Sequence, residues 1–519
     1  MNGGTPAGAA PAPARSRWPW SLAALLACIA VLRSAGFVYG LLNIDESDFT
    51  IIARRILQGA VPYAEIADIK PPLAYLAFIP GALSTHLSVL PMHLLGVLWL
   101  FATGLLLGRA AKLLTGSDLA AACAPWLTLL AALCDVPSVS TELLMALPLA
   151  GALYFYVRAE AGGGSRDQAL SGLCIGLASL FRQQAGILLA ALGLALVWRA
   201  VRDRQVRVAL PLLSLAGGFL APWVATAVIF AFSGALSPFW DWVVTRNLQH
   251  YPAGSPRDAL LRAAQSIPLC VASAAVPWVL ATRETLRPAF RSPARLGVVL
   301  ALWMSWIAVS VGWRFYEHYF LQFIAPLALL ASSGAASLVE SWRTISRSRR
   351  VLVLTGCCLP ALILLGFSLG RGVAGQYPEQ EPRARELAAW LARNTAPGER
   401  LFIWGHYSPI YYLSGRLPGT RYVTTSVHVG NFDPGHLADG VDLAPYRSDR
   451  DVAFTIADLE RNRVPVFVDT TRSGIHHWDR IPLSVVPALE QYLRGHYKLT
   501  ADVGGSLVYR RQGMTAARP

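Results

Sequence analysis

Charge is scarce in this sequence. Asp, Glu, Lys and Arg make up 15% of 519 residues, where soluble chains average about 25%. Hydrophobic residues make up 54%, and that balance excludes an ordinary soluble enzyme and reads as a polytopic membrane protein. Acidic residues are the scarcer sign, 31 against 45 basic, for a net charge of +14. In a soluble chain this excess would suggest nucleic acid. Here it reads as the Lys/Arg bias of cytoplasmic loops, and no nucleic-acid partner is expected. Cysteine is scarce as well. Most of the seven lie in apolar runs and none follows Cys358, so no disulfide framework supports the polar C-terminus. No spacing marks a metal site. No internal repeat is visible, which weighs against transporters built on inverted repeats.

Long apolar runs are what the chain does have. A helix needs roughly 20 apolar residues to cross a bilayer. The expected spans are 20–42, 93–111, 118–134, 142–157, 169–181, 184–199, 208–232, 265–282, 297–313, 318–338 and 351–370, about eleven. Residues 1–19 read as a disordered cytoplasmic tail, and the first span as an uncleaved one rather than a signal peptide. The run 169–199 is split at Arg182-Gln183-Gln184. The run 73–90 is long enough to cross, yet crossing would send every later basic loop to the wrong side. It is therefore expected on the outer surface, broken by its prolines. The N-terminus is then inside and the C-terminus outside.

That topology collects the unusual polar residues on one face. The stretch "LLNIDESDF" (41–49) empties an apolar run into three carboxylates. Phe49, Ile52, Ala53, Ile56 and Leu57 then recur at helical spacing, with Arg54, Arg55 and Gln58 opposite and Gly59 as a natural end. An amphipathic helix lying flat on the membrane is expected, with Asp45 or Ser47 as its N-cap. Capping and a catalytic base are equal readings of Asp45; Glu46 and Asp48 read as solvated. Lys70, before Pro71 and Pro72, is either a headgroup anchor or a cation aimed at a phosphate by a rigid turn. Glu142 at a helix start reads as a dipole partner or a site residue. Arg182 interrupts an apolar run, where a charge is costly and often functional. "FWDWVVTRNLQHY" (239–251) offers Arg246 and His250 among interfacial aromatics, and "RFYEHYFLQF" (314–323) offers Arg314, Glu317, His318 and Tyr319. A histidine alone is more often bonded structure than a ligand.

From about Gln376 the character changes. "PRARELAAWLARN" has helical periodicity, "RLFIWG" reads as a buried strand and "SPIYYLSGR" as a short helix. "TRYVTT" and "VPVFVD" read as strands around the helical "VAFTIADLERNR", with "PLSVVPALEQYLRGHY" helical and "SLVYRR" a last strand. Such alternation indicates a compact α/β domain outside the membrane.

Carboxylates and cations from at least five segments thus meet one face. A carboxylate suits removal of an acceptor's hydroxyl proton, and cations suit charge developing on a departing phosphate.

The residues "DE" at 45–46, the helix ending in "LQGAVPY" and "KPPL" at 70–73 resemble the bacterial relatives of dolichyl-phosphate-mannose protein mannosyltransferases. These belong to the glycosyltransferase-C superfamily, with the lipid A aminoarabinose transferase. "STELLMALPLAGALYFYVR" (140–158), "RFYEHYFLQFIAPLALLAS" (314–332) and "RLFIWGHYSPIYYLSGRLPGTRY" (400–422) also look like family segments. The resemblance implies a polytopic α-helical membrane protein of glycosyltransferase-C type, with a transmembrane domain (20–375, including an outer-face loop at 43–92) and a periplasmic α/β domain (376–519). It implies an inverting glycosyltransferase that uses a polyprenyl-phosphate-linked sugar donor in the bacterial plasma membrane. The acceptor would be a lipid, a glycan or a protein. By position, Asp45 matches the proposed base and Lys70 the lysine at the lipid phosphate. Glu142 falls where a second catalytic acidic residue lies, as Glu rather than the commoner Asp. Tyr319 aligns with a tyrosine near the donor phosphate, with Arg314 and Arg182 as further cations. Glu46, Arg246, His250 and His318 are candidate acceptor or support residues. A divalent metal is compatible with this reading and not demanded by it. The rival readings are a lipid-linked oligosaccharide flippase, which would carry polar residues at mid-membrane and on both faces, and an envelope assembly protein without activity.

Overall fold

Backbone amides that cannot reach water must bond within their own segment, so the apolar runs become helices. The computed structural model describes residues 18–513, apart from 85, 205–208, 250–255, 288–291, 433, 438 and 439. The expected tail therefore lies, up to residue 17, outside the described residues. Among the described residues eight helices are long and apolar enough to cross a membrane, nine if the bent pair Arg257–Ser273 and Ala275–Thr285 is one span. One of the eight, 141–179, is two helices folded back on each other. The chain turns at Gly162, whose φ of +112° suits glycine. Beyond the turn the Ser171 hydroxyl donates to the Ala152 carbonyl at 2.9 Å. Length and composition alone give eight or nine spans; eleven is reached only by counting these two helices separately and adding the shorter apolar helix Ser21–Leu32.

Three expected segments differ in detail. The run 20–42 is not one helix: Trp18–Leu32 stops at Arg33, and Ser34–Tyr39 follows. Arg33 is wholly buried, and its guanidinium donates to the carbonyls of Val136 and Ser138. The run 265–282 bends by 88° at Ala274. Pro277 lacks the N–H that a straight helix would need to bond the Ser273 carbonyl. The described residues of 73–89 form the short helices Pro72–Leu76 and Ile79–Ala82, neither able to cross, and Leu90 opens the long helix Leu90–Thr115.

The helix Ile44–Leu57 forms as the spacing predicts, but it does not lie open on a membrane surface. Phe49, Ile51, Ile52 and Ala53 are buried, and so is Arg55 on the face expected to be polar. The Ser47 and Ser408 hydroxyls meet at 2.6 Å. The helix is thus held between the helical bundle and the C-terminal domain. Its N-cap is Asn43, not Asp45 or Ser47: the Asn43 side chain accepts from the Asp45 amide at 3.0 Å, and Glu46 completes a capping box.

The C-terminal domain is built on five strands: β1 (Arg400–Trp404), β2 (Leu417–Pro418), β3 (Val466–Asp469), β4 (Tyr497–Val503) and β5 (Ser506–Arg511). Their order is β2-β1-β3-β5-β4; β1 runs parallel to both β2 and β3, whereas β5 is antiparallel to β3 and β4. The helices Pro382–Asn394, Pro409–Ser414, Asp449–Arg461 and Pro487–His496 fall where the sequence places them. "TRYVTT" is not a strand. It makes an isolated bridge from Tyr422 to Ala67, which ties this segment to the membrane part, while Thr425 bonds Gly405 just past β1. From β1 the chain leaves to one side and from β3 to the other. Crevices outside the carboxyl ends of such neighbouring strands are where open α/β sheets bind ligands.

Candidate active site

The crevice beyond β1 and β3 opens onto a cavity of about 310 Å³. Four segments line it. The start of helix Ile44–Leu57 supplies Asn43, Asp45 and Asp48; the loop before Pro71 supplies Asp68 and Lys70; the stretch 314–319 supplies Arg314, His318 and Tyr319; the C-terminal domain supplies His406, Tyr422, Asn431 and His476. Asp45 and Lys70, 25 positions apart in sequence, therefore share one cavity. Because Asn43 and Glu46 serve the helix end, the Asp45 carboxyl is not spent on capping.

Lys70 sits in a frame of side-chain donors. Its carbonyl accepts from the hydroxyls of Tyr75 at 2.8 Å and Tyr63 at 2.9 Å. The preceding carbonyl, of Ile69, accepts from the amide of Asn247 at 2.9 Å and from that of Gln183 at 3.4 Å. Tyr63 itself holds a left-handed φ of +67°, a conformation that persists only where the surroundings over-determine it. The lysine's backbone is thus fixed from three segments of the fold.

Two carboxyls in the cavity are perturbed. Burial, then the neighbouring Asp45, pushes Asp48 well above the ordinary carboxylate range. Burial also raises Asp68, against the opposing pull of Lys70. The sequence reads Asp48 as solvated, since nothing in "DESDF" says which carboxyl is enclosed, and it does not single out Asp68.

Behind the cavity lies a second cluster. Arg182 and Glu142 form a buried ion pair at 2.8 Å, and His318 Nε2 approaches the same Glu142 oxygen at 3.8 Å. The Arg182 guanidinium lies 4.1 Å from the centre of the Tyr319 ring. Neither Glu142 nor Arg182 lines the cavity; Tyr319 and His318 stand between them and it. Glu142 and Arg182, expected at the reacting groups, thus sit behind the cavity wall.

The remaining candidates separate. Glu46 is 1% exposed and fully engaged: its oxygens accept from the amides of Leu42 and Val139, each at 2.8 Å. It is a support that ties the helix start to the 135–140 loop. Arg246 stands away from the cavity, paired with Asp241 and Asp451 and stacked 4.0 Å from the Trp242 ring. His250 lies outside the described residues.

Sequence reasoning missed the cavity's far wall. His406 follows β1 and His476 follows β3, and their rings lie nearly parallel, 5.6 Å apart. His476 and His477 both adopt left-handed φ, +54° and +58°. "GIHHWD" gives no sign of this, because the two histidines meet only once the sheet is assembled. Among the described residues no three His, Cys, Asp or Glu side chains are arranged to hold a metal ion. Asp45, Asp48 and Asp68 share the cavity without gathering at ligand distance, so these residues do not fit the metal that the sequence reading left open.

No protein-family model and no curated protein sequence matches the chain. Solved structures do. ArnT from Cupriavidus metallidurans bound to undecaprenyl phosphate superposes with a TM-score of 0.60 at 16% identity, over 97% of this chain and 100% of that one. The archaeal oligosaccharyltransferase AglB from Archaeoglobus fulgidus, in complex with an inhibitory peptide and a dolichol-phosphate, gives 0.54 at 14% identity, over 95% and 74%. The apo oligosaccharyltransferase from the same organism gives 0.52 at 13%, over 96% and 75%. At these identities the likeness is one of fold. It bears out the glycosyltransferase-C resemblance drawn from the sequence at that level, for a multi-pass helical protein with a small C-terminal sheet domain.

Proposed function

We propose that this chain is an inverting glycosyltransferase that moves a sugar from a polyprenyl-phosphate donor to a hydroxyl of an envelope lipid, glycan or protein. The observation that carries the reading is the meeting of Asp45 and Lys70 in one cavity. The polyprenyl phosphates bound in ArnT and AglB support the donor class. The donor's lipid stays among the apolar helices, with its phosphate near Lys70 and Arg314. The acceptor enters from the side of the C-terminal domain, which forms the cavity's far wall. Asp45 takes the acceptor's hydroxyl proton. The freed oxygen attacks the anomeric carbon from the face opposite the phosphate. The carbon–oxygen bond to phosphate breaks, and its electron pair leaves on the phosphate, where the cations meet the added charge. Tyr319 and Arg182 act together, the ring carrying the guanidinium's field towards the phosphate. The site would lie at the outer face of the plasma membrane, with residues 376–519 periplasmic. A flippase fits less well, because the cavity that gathers Asp45, Asp48, Asp68, Lys70 and Arg314 is walled by the C-terminal domain, whereas the other buried charged groups are closed ion pairs such as Arg199–Glu160 and Arg295–Glu284.

The test is transfer of labelled sugar from an undecaprenyl-phosphate donor to envelope extracts by the purified protein. Asp45→Asn is expected to lower the rate by about 10²- to 10⁴-fold while undecaprenyl phosphate still binds. Full activity in that variant would end the catalytic assignment.

A further inference from the structure

We propose that Asp48 works in this cavity as a neutral carboxylic acid that donates a hydrogen bond to the departing donor phosphate, an inference that rests on the transferase reading. Asp48 follows Asp45 by three positions on one helix, so the two carboxyls share a face. Both line the cavity, with Asp68 and Lys70. One Asp48 oxygen, Oδ1, is sealed from solvent, and no hydrogen-bond donor among the described residues reaches it. An ionised carboxyl with a sealed, unbonded oxygen carries uncompensated charge, which costs far more than a neutral acid in the same place.

The groups packed against it agree. Asp45 faces it from its own helix and Asp68 and Lys70 from the adjacent loop, while the Ser408 hydroxyl of the C-terminal domain is engaged with the Ser47 hydroxyl at 2.6 Å. Arg314, Glu317, His318, His406 and His476 stand further round the wall. Two nearby negative charges oppose one nearby cation. Burial adds to them and holds the proton on well beyond the usual carboxylate range.

The chemistry gives that proton a use. A polyprenyl-phosphate sugar is a phosphodiester with one negative charge, and the released monoester carries about −1.5 to −2 near neutrality. An ionised Asp48 would repel the charge as it grows; an O–H donor meets it. The acceptor's proton goes to Asp45, the broken bond's electron pair goes to the phosphate oxygen, and Asp48 keeps its own proton throughout.

The experiment measures undecaprenyl phosphate binding and sugar transfer by the full-length protein from about pH 6 to pH 9, upward from the range where an ordinary carboxyl is already ionised. For the native sequence both are expected to fall as pH rises and Asp48 loses its proton. Asp48→Asn keeps an N–H donor and cannot ionise. It should transfer at neutral pH within about threefold of native and lose the alkaline fall, whereas Asp48→Ala should lose about 10²-fold throughout. The phosphate's own ionisation is common to all these proteins, and the difference between them isolates Asp48. An unchanged alkaline fall in Asp48→Asn, or a loss in a folded Asp48→Asn as deep as in Asp48→Ala, would each overturn the proposal. Failure of the native protein to bind undecaprenyl phosphate at any pH would instead remove the transferase reading beneath it.

Discussion

Arg246 and Asp451, 205 positions apart, form a two-pronged ion pair: Nη1 donates to Oδ2 at 2.9 Å and Nη2 to Oδ1 at 2.8 Å. The same carboxylate accepts from the Tyr422 hydroxyl at 2.8 Å, and Tyr422 lines the cavity. Asn247, next to Arg246, bonds the carbonyl that precedes Lys70. One short segment therefore fastens the C-terminal domain and the lysine loop to each other.

Removing one member of that pair should be costly. Burial alone would raise Asp451, but the Arg246 hydrogen bonds outweigh it and hold the carboxyl below its ordinary range. Arg246→Ala leaves that charge enclosed without its partner, and a loss of about 3–5 kcal/mol is expected, as for other buried pairs. Arg246→Lys keeps the charge and loses the second prong, so its melting temperature should fall between the two. Equal melting of all three proteins would show that the pair does not fasten the domains.

His428 makes the stability of the C-terminal domain depend on acid. Its Nδ1 meets the Thr425 carbonyl at 2.9 Å and its Nε2 the Thr455 hydroxyl at 2.7 Å, and burial pushes its pKa down to about 4. The folded state prefers the neutral ring. That preference contributes fully above the unfolded value of about 6.5 and is lost as pH falls from there towards the folded value. The loss approaches about 3 kcal/mol at most. The melting temperature of the full-length protein should therefore drop between these two pH values, and His428→Gln should flatten that part of the curve. An identical slope in the variant would assign the acid sensitivity to another group.

What the sequence made legible follows the range of the forces involved. Apolar runs and the periodicity of 44–57 are local, and the helices appear where those patterns predict. "KPPL" is local too, because two prolines fix the backbone on which Lys70 stands. The frame around that lysine was not legible: Tyr63, Tyr75, Gln183 and Asn247 converge on two carbonyls only after three segments pack. The same holds for the His406–His476 wall. The cap at Asn43 was missed for another reason. Asn, Asp and Ser all cap well, and "NIDES" contains each of them. Arg33 was absorbed into an apolar run, although a charge there had to find carbonyls and break the helix.

The tyrosine frame should act on donor binding more than on chemistry. Each hydroxyl bonded to the Lys70 carbonyl is worth about 1 kcal/mol, so Tyr75→Phe should raise the donor KM roughly fivefold with kcat little changed. Tyr63→Phe should do the same, and the double variant should exceed either alone. Steady-state kinetics in donor concentration separate the outcomes. A fall in kcat at constant KM would mean that the tyrosines serve the transition state directly.

The Glu142–Arg182 pair offers a way to tell support from catalysis. Both side chains are nearly sealed, 1% and 5% exposed, and they contact Tyr319 and His318, which line the cavity. Glu142→Gln leaves the Arg182 charge enclosed, at an expected cost of about 3–5 kcal/mol. Glu142→Gln combined with Arg182→Met removes both charges and should recover most of that stability. If Glu142 acts by holding Arg182 against the Tyr319 ring, activity in the double variant stays low although melting recovers, and Tyr319→Ala lowers activity to a similar level while Tyr319→Phe does not. Melting curves and transfer rates on the five proteins decide it. High activity in the double variant would mean that neither charge is needed behind the cavity, and that Asp45, Lys70 and Arg314 carry the reaction without them.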